Sequence, residues 1–167
     1  MNKLIPIIFV LFSLQASAGD FSAINLPGWT KEEISSSHLR FTSADKKYIT
    51  IHLQIDSYDK DEMWEEKTLS EDVKKMETIR NQMSSFLGID NYKIESFKQK
   101  KLTLLPVLEL AGSYTRLKNQ LIQFKEINFY QRDHFLQIKI ISEEKLPTEP
   151  EIDQLIKLID PAKVKIE

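Results

Sequence analysis

Between residues 48 and 55 the chain alternates without a break. Ile49, Ile51, Leu53 and Ile55 fall on one side, and Tyr48, Thr50, His52 and Gln54 on the other. Successive side chains of a strand leave opposite faces, so this segment belongs in a sheet with one strongly apolar face. Residues 38–43, with Leu39 and Phe41 in phase, read as its hairpin partner across the polar turn Ser43-Ala44-Asp45-Lys46-Lys47. An apolar sheet face must be covered by another layer. The chain has no cysteine, so packing alone has to hold that layer in place.

The period then changes. Leu69, Val73, Met76, Ile79, Met83 and Phe86 recur at steps of three and four, the spacing of one helical face. Thr68 and Glu71 form a capping-box pattern at its start, and Gly88 suits a left-handed stop. Burying those side chains is worth roughly 1.5 to 3 kcal/mol each before chain entropy is subtracted, so the helix is expected to lie on the sheet. On this reading Ile79 is core, and Ile79→Asp should unfold the helix.

Four further segments, residues 92–98, 107–116, 121–130 and 135–142, are rich in strand formers, and Pro106 marks a break or strand start. Lys118-Asn119-Gln120 and Arg132-Asp133-His134 read as hairpin turns, so the last three strands should form an antiparallel meander. A second capping box, Thr148 with Glu151, opens a last helix whose Ile152, Leu155, Ile156 and Ile159 share a face, and Asp160-Pro161 closes it. Ile127 and Phe129 lie in one phase and Ile122 and Phe124 in the other, so both sheet faces should be apolar with one helix on each. The predicted class is α+β: an α/β/α sandwich with a mainly antiparallel sheet of about six strands and two principal helices. Leu26-Pro27-Gly28-Trp29 is a turn whose tryptophan should plug one end of the core. No repeat or linker divides the chain.

The first residues carry an address. Met1-Asn2-Lys3 gives a positive end, residues 4–14 an apolar run containing Pro6, and Ala16-Ser17-Ala18 a small-x-small cleavage site. The run falls short of the roughly 20 residues that cross a bilayer. Residues 1–18 are therefore expected to be a cleaved signal peptide and residues 19–167 a single domain, periplasmic or secreted and soluble after cleavage. Without cysteine, lipid attachment at the cleavage site is excluded. The 23 basic and 25 acidic residues leave a formal net charge of −2, which does not invite nucleic acid.

Chemistry-bearing patterns are sparse. His38, His52 and His134 form no closely spaced ligand pair, although His38 and His52 would approach each other if the first two strands pair; a metal there would still need acidic partners. Asp56, Asp59, Asp61 and Glu62 are the densest acidic run, but Lys60 interrupts it and no glycine supplies the turn of a calcium loop, so a solvated connection is expected. The serines at 35–37 and 84–85 sit in no nucleophile elbow. A carboxylate pair for glycoside hydrolysis does not stand out, and four glycines offer no phosphate cradle. No catalytic, cofactor or metal residue is assigned, and no cofactor is expected.

The element order, the turn Leu26-Pro27-Gly28-Trp29, the run from Pro106 through Leu110-Ala111-Gly112-Ser113-Tyr114, and Phe129-Tyr130-Gln131-Arg132-Asp133-His134-Phe135 together resemble the PsbP-like superfamily of small α/β/α sandwich domains. Its members include the extrinsic photosystem subunit that names it and bacterial envelope proteins of unassigned role. The resemblance implies binding, not turnover. This chain departs from the usual pattern with Leu104-Leu105 before Pro106 and with Lys118-Asn119-Gln120 where glycine is common. The resulting expectation is a non-enzymatic periplasmic accessory protein that docks on an envelope protein or complex through a sheet edge or loop, with Leu102, Leu104, Leu105 and Pro106 as possible partner-binding anchors. A carrier or sensor of a small apolar ligand, motivated by the Met- and Phe-rich helix face, and a hydrolase are the alternatives.

Overall fold

The computed structural model describes residues 19–46, 48–57, 69–102, 105–116, 119–131 and 134–166, so the signal-like segment and Thr68 lie outside the described residues. The order along the chain is β1 (Gly19–Asp20), β2 (Trp29–Ser35), β3 (His38–Ser43), β4 (Ile49–Ser57), α1 (Leu69–Gln82), α2 (Ser84–Leu87), β5 (Ile89–Leu102), β6 (Leu105–Arg116), β7 (Gln120–Gln131), β8 (His134–Ser142), α3 (Glu149–Ile159) and β9 (Lys165–Ile166). Seven strands form one antiparallel sheet in the order β2-β3-β4-β8-β7-β6-β5, and β1 pairs with β9.

The alternating segment becomes β4, in the middle of the sheet, hydrogen-bonded to β3 on one side and β8 on the other. Its Ile51 and Leu53 are buried with Leu39 and Phe41 of β3, Ile138 and Ile140 of β8, and Ile127 and Phe129 of β7. Ile152, Leu155 and Ile159 of α3 close over them. The capping box that starts α3 forms as expected: the Thr148 N–H and hydroxyl donate to the Glu151 carboxylate at 2.7 and 2.8 Å. Trp29 packs half-buried at the rim of this cluster, after a turn in which Gly28 takes a positive φ of 79°.

Strand β2 adds a seventh member that alternation did not predict. Six of its seven residues are exposed, so it carries no apolar phase, and it joins the sheet through its backbone ladder with β3.

The first helix corrects the sequence reading more sharply. Leu69 and Val73 are buried, and Met76 packs beside them against Leu108, Leu110 and Tyr130 on the face opposite α3. Ile79, however, is 44% exposed and Phe86 70% exposed. The face that meets β5 continues instead through half-buried Glu77 and exposed Asn81, which follow Val73 at the i+4 and i+8 spacing of one face. Strand β5 is bulged between Asp90 and Lys93 and again between Ile94 and Ser96, which disrupts its ladder with β6. Polar side chains of α1 bond the backbone at these bulges. Asn81 accepts from Tyr92 N–H at 2.8 Å and donates to Tyr92 C=O at 2.7 Å, and Glu77 accepts from Ile94 N–H at 2.8 Å. The helix is thus fastened by side-chain hydrogen bonds where apolar periodicity placed core. It also ends early: α1 stops at Gln82, and the short α2 is the element that Gly88 caps, at φ 65°.

Candidate functional site

Helix α1 reaches the sheet over β5, β6 and β7, and beside it the same face carries a polar stripe. Register places Arg40, His52, Lys139 and Glu126 side by side across β3, β4, β8 and β7, and His38, Gln54, Gln137 and Asn128 in the next row. Directly opposed residues of neighbouring strands lie close enough for their side chains to interact, so each row is a continuous ribbon of polar groups. Above it opens a cleft of about 390 Å³, walled by Arg80 of α1, Tyr114 of β6, and Phe135 and Ile141 of β8, with Asp56 at one end.

The floor is internally paired. Glu126 is 1% exposed, with Lys139 Nζ 2.7 Å and Arg80 Nη1 3.7 Å from its Oε1. Burial works to raise the Glu126 pKa, but Lys139 and Arg80 outweigh it and hold the carboxyl below its usual range. The Arg80 guanidinium also stacks over the Tyr92 ring at 4.9 Å, and Lys139 approaches the Phe124 ring at 5.4 Å. Gln137 Nε2 donates to Asn128 Oδ1 at 3.1 Å, and Arg40 is tied to Glu32 of the edge strand.

His38 Nε2 and His52 Nδ1 are 2.9 Å apart. Burial, with His38 and the cations Lys139, Arg40 and Arg116, pushes His52 down to about 4. Burial and Arg40 lower His38 as well. Both rings are therefore neutral at pH 7, and one proton joins them. Either His38 donates, leaving a donor N–H on His52 Nε2 and an acceptor on His38 Nδ1, or His52 donates and the outer roles reverse. The pair always presents one donor and one acceptor.

The sequence anticipated this histidine approach through the pairing of the first two strands. It did not single out Arg40, Gln54, Arg80, Glu126, Gln137 or Lys139, although each strand contributor sits at an out-of-phase position opposite the buried phase. The proposed anchors lie elsewhere. Leu102 and Leu105 are the last register pair of the ladder between edge strand β5 and β6, and Pro106, half-buried, pairs with Lys101. Leu104 lies outside the described residues. Of the acidic run, Asp56 borders the cleft while Asp59, Asp61 and Glu62 lie outside the described residues. Among the described residues no three His, Cys, Asp or Glu side chains are grouped to hold a metal ion. No helix among them is long and apolar enough to cross a membrane.

No protein-family model and no curated protein sequence matches the chain. Solved structures do. The solution structure of cyanobacterial PsbP (CyanoP) from Synechocystis sp. PCC 6803 is similar with a TM-score of 0.56 and 9% identity, covering 96% of this chain and 99% of that one. A crystal structure from Bacteroides thetaiotaomicron VPI-5482 is similar with a TM-score of 0.50 and 9% identity, covering 91% of this chain and 49% of that one. At such identity the likeness is one of fold: the chain has a PsbP-like fold.

Proposed function

We propose that this chain is a non-enzymatic exported accessory domain that docks on an envelope protein or complex, and that the polar cleft beside α1 is its docking surface. The observation that carries this reading is the pair of polar rows, Arg40-His52-Lys139-Glu126 and His38-Gln54-Gln137-Asn128, bordering an open cleft on a sheet whose other face is packed with aliphatic and aromatic side chains at these strands. The PsbP-like fold supports a binding role through the resemblance already described.

The sheet edges are poorer candidates. Strand β2 sets Lys31, Glu32 and Glu33 along one edge, and β5 carries two bulges and Lys93, Lys98 and Lys100 along the other. Charges and bulges of this kind oppose addition of a further strand. A small apolar ligand is likewise a poor match, because entering the cleft would strip water from Gln54, Gln137 and Lys139 without replacing their hydrogen bonds.

The test is a differential pull-down from envelopes of the source organism with the natural chain and a His38→Ala/His52→Ala variant. A partner recovered by the first and lost by the second, with both proteins folded, is the expected result. Equal recovery by both would overturn the assignment of the cleft.

A further inference from the structure

We infer that the cleft recognises an oxyanion, a carboxylate, phosphate or sulfate group, seated between Arg80, Lys139 and the His38–His52 pair. This rests on the reading of the cleft as the binding surface and specifies the chemistry it selects.

The charges do not balance at this point. One buried carboxylate, Glu126, faces two cations, Lys139 at 2.7 Å and Arg80 at 3.7 Å. Both cations reach the cleft, with side chains 18% and 30% exposed. Arg80 stands beyond hydrogen-bond distance of Glu126, so the carboxylate attracts it without consuming its donors. A guanidinium with donors to spare matches an oxyanion in bidentate fashion.

Among the described residues no other acidic side chain is within ion-pair distance of Lys139 or Arg80, and Glu77, one turn before Arg80 on α1, accepts instead from the Ile94 N–H. Glu32 and Glu143 pair with Arg40 and Arg116. Asp56 lies on the cleft but four residues along β4 from His52, roughly 13 Å at strand rise. The histidines complete the seat. Because the pair chooses its tautomer freely, an oxyanion beside His52 selects the arrangement that turns the Nε2–H donor toward it. A cation would instead meet Lys139 and Arg80.

The test is a titration of the folded protein with inorganic phosphate at pH 7 and low ionic strength, with sodium chloride as control, following the Arg80 and His52 side-chain resonances. Saturable shifts are expected. The His52 titration should move up from about 4 by about one unit when phosphate is bound, because a nearby negative charge favours the imidazolium. Arg80→Gln should weaken binding about tenfold or more, Arg80→Lys should fall between, and Asp56→Asn should not weaken it. Unsaturable shifts, or equal affinity in Arg80→Gln and the natural chain, would overturn the inference.

Adding excess phosphate to the pull-down separates the two sources of the anion. Release of the partner means that the partner carries the oxyanion; unchanged capture alongside saturable phosphate binding means that a free anion is the ligand. Were phosphate not to bind while the histidine variant still lost its partner, the oxyanion would fall and the docking surface would stand.

Discussion

Replacing Glu126 by glutamine removes the one negative charge among the described residues that is in contact with Lys139 and Arg80, while nearly preserving shape. At an effective dielectric of about 20, the Lys139 contact at 2.7 Å and the Arg80 contact at 3.7 Å represent gross attractions of about 6 and about 4 kcal/mol. Most of that is cancelled by the cost of bringing three charges out of water, and breaking a buried pair costs about 3 to 5 kcal/mol net. Lys139 and Arg80 retain some access to solvent, so we expect the lower end, about 3 kcal/mol. For a domain of this length that is a fall in melting temperature of roughly 6 to 12 °C, read by circular dichroism at pH 7. The folded-state pKa of Glu126 lies below its ordinary 4.5. Its stabilisation is therefore present in full above that value and is lost as pH falls through the folded pKa, so the gap between the two proteins must narrow on acidification. A Glu126→Gln protein within about 0.5 kcal/mol of the natural one at pH 7, or a gap that stays constant at low pH, would refute the reasoning.

A Cβ on Gly112 would sit 2.0 Å from the Lys93 carbonyl oxygen and 3.0 Å from the Ile94 Cα, backbone atoms of the β5 bulge, so Gly112→Ala should destabilise by about 3 kcal/mol or more in urea unfolding. Ile51, fully buried, should lose about 2 to 5 kcal/mol on Ile51→Ala, whereas Ile79→Asp at an exposed position should melt close to the natural protein; both are read in the same thermal scan. His52 should titrate near 4 by nuclear magnetic resonance. Because its folded pKa is depressed, its contribution is complete above the unfolded value of 6.5 and erodes as pH falls from there toward about 4. Replacing Glu126 and Lys139 together by methionine should restore most of the stability lost in Glu126→Gln and, with Arg80 and the histidines retained, weaken phosphate binding only by the loss of the Lys139 contact, as melts and titrations on one preparation would check.

Much of the fold was legible because apolar periodicity reports burial. The α3 side could be read from Ile49, Ile51, Leu53 and Ile55, and the capping box at Thr148 and Glu151 marked where its helix starts. The same signal misplaced Ile79 and Phe86, since the contact face of α1 passes at Glu77 and Asn81 to groups that bond the β5 backbone, and hydrogen bonding has no hydropathic signature. It was silent at β2, whose exposed residues carry no phase. The cleft was legible only in its histidines, which are neighbours through one predicted hairpin. Lys139 and Glu126 meet across β8 and β7, and Arg80 arrives from a helix, so their convergence depends on sheet order and helix placement that spacing along the chain does not encode.

The two faces of the sheet differ most at β3, β4 and β8, although the cleft face also carries the α1 cluster and the cluster of Tyr92, Tyr114, Ile122, Phe124 and Ile141. The α3 face is apolar where β3, β4, β7 and β8 meet, with Phe41 and Phe129 among aliphatic side chains, Phe21, Ile24 and Leu26 of the N-terminal loop extend it, and buried Lys125 of β7 pairs beside it with Glu149 of α3. The reverse of those same strands carries Arg40, His52, Gln54, Gln137 and Lys139. A chain selected for stability alone would place aliphatic residues on both faces, because well-packed apolar replacements of a buried ion pair are often neutral or stabilising. The polar stripe therefore needs a reason other than holding the sheet together. Its position beside an open cleft, with one more positive than negative charge at the Glu126 contact, supplies that reason in the binding of a group that brings the missing negative charge.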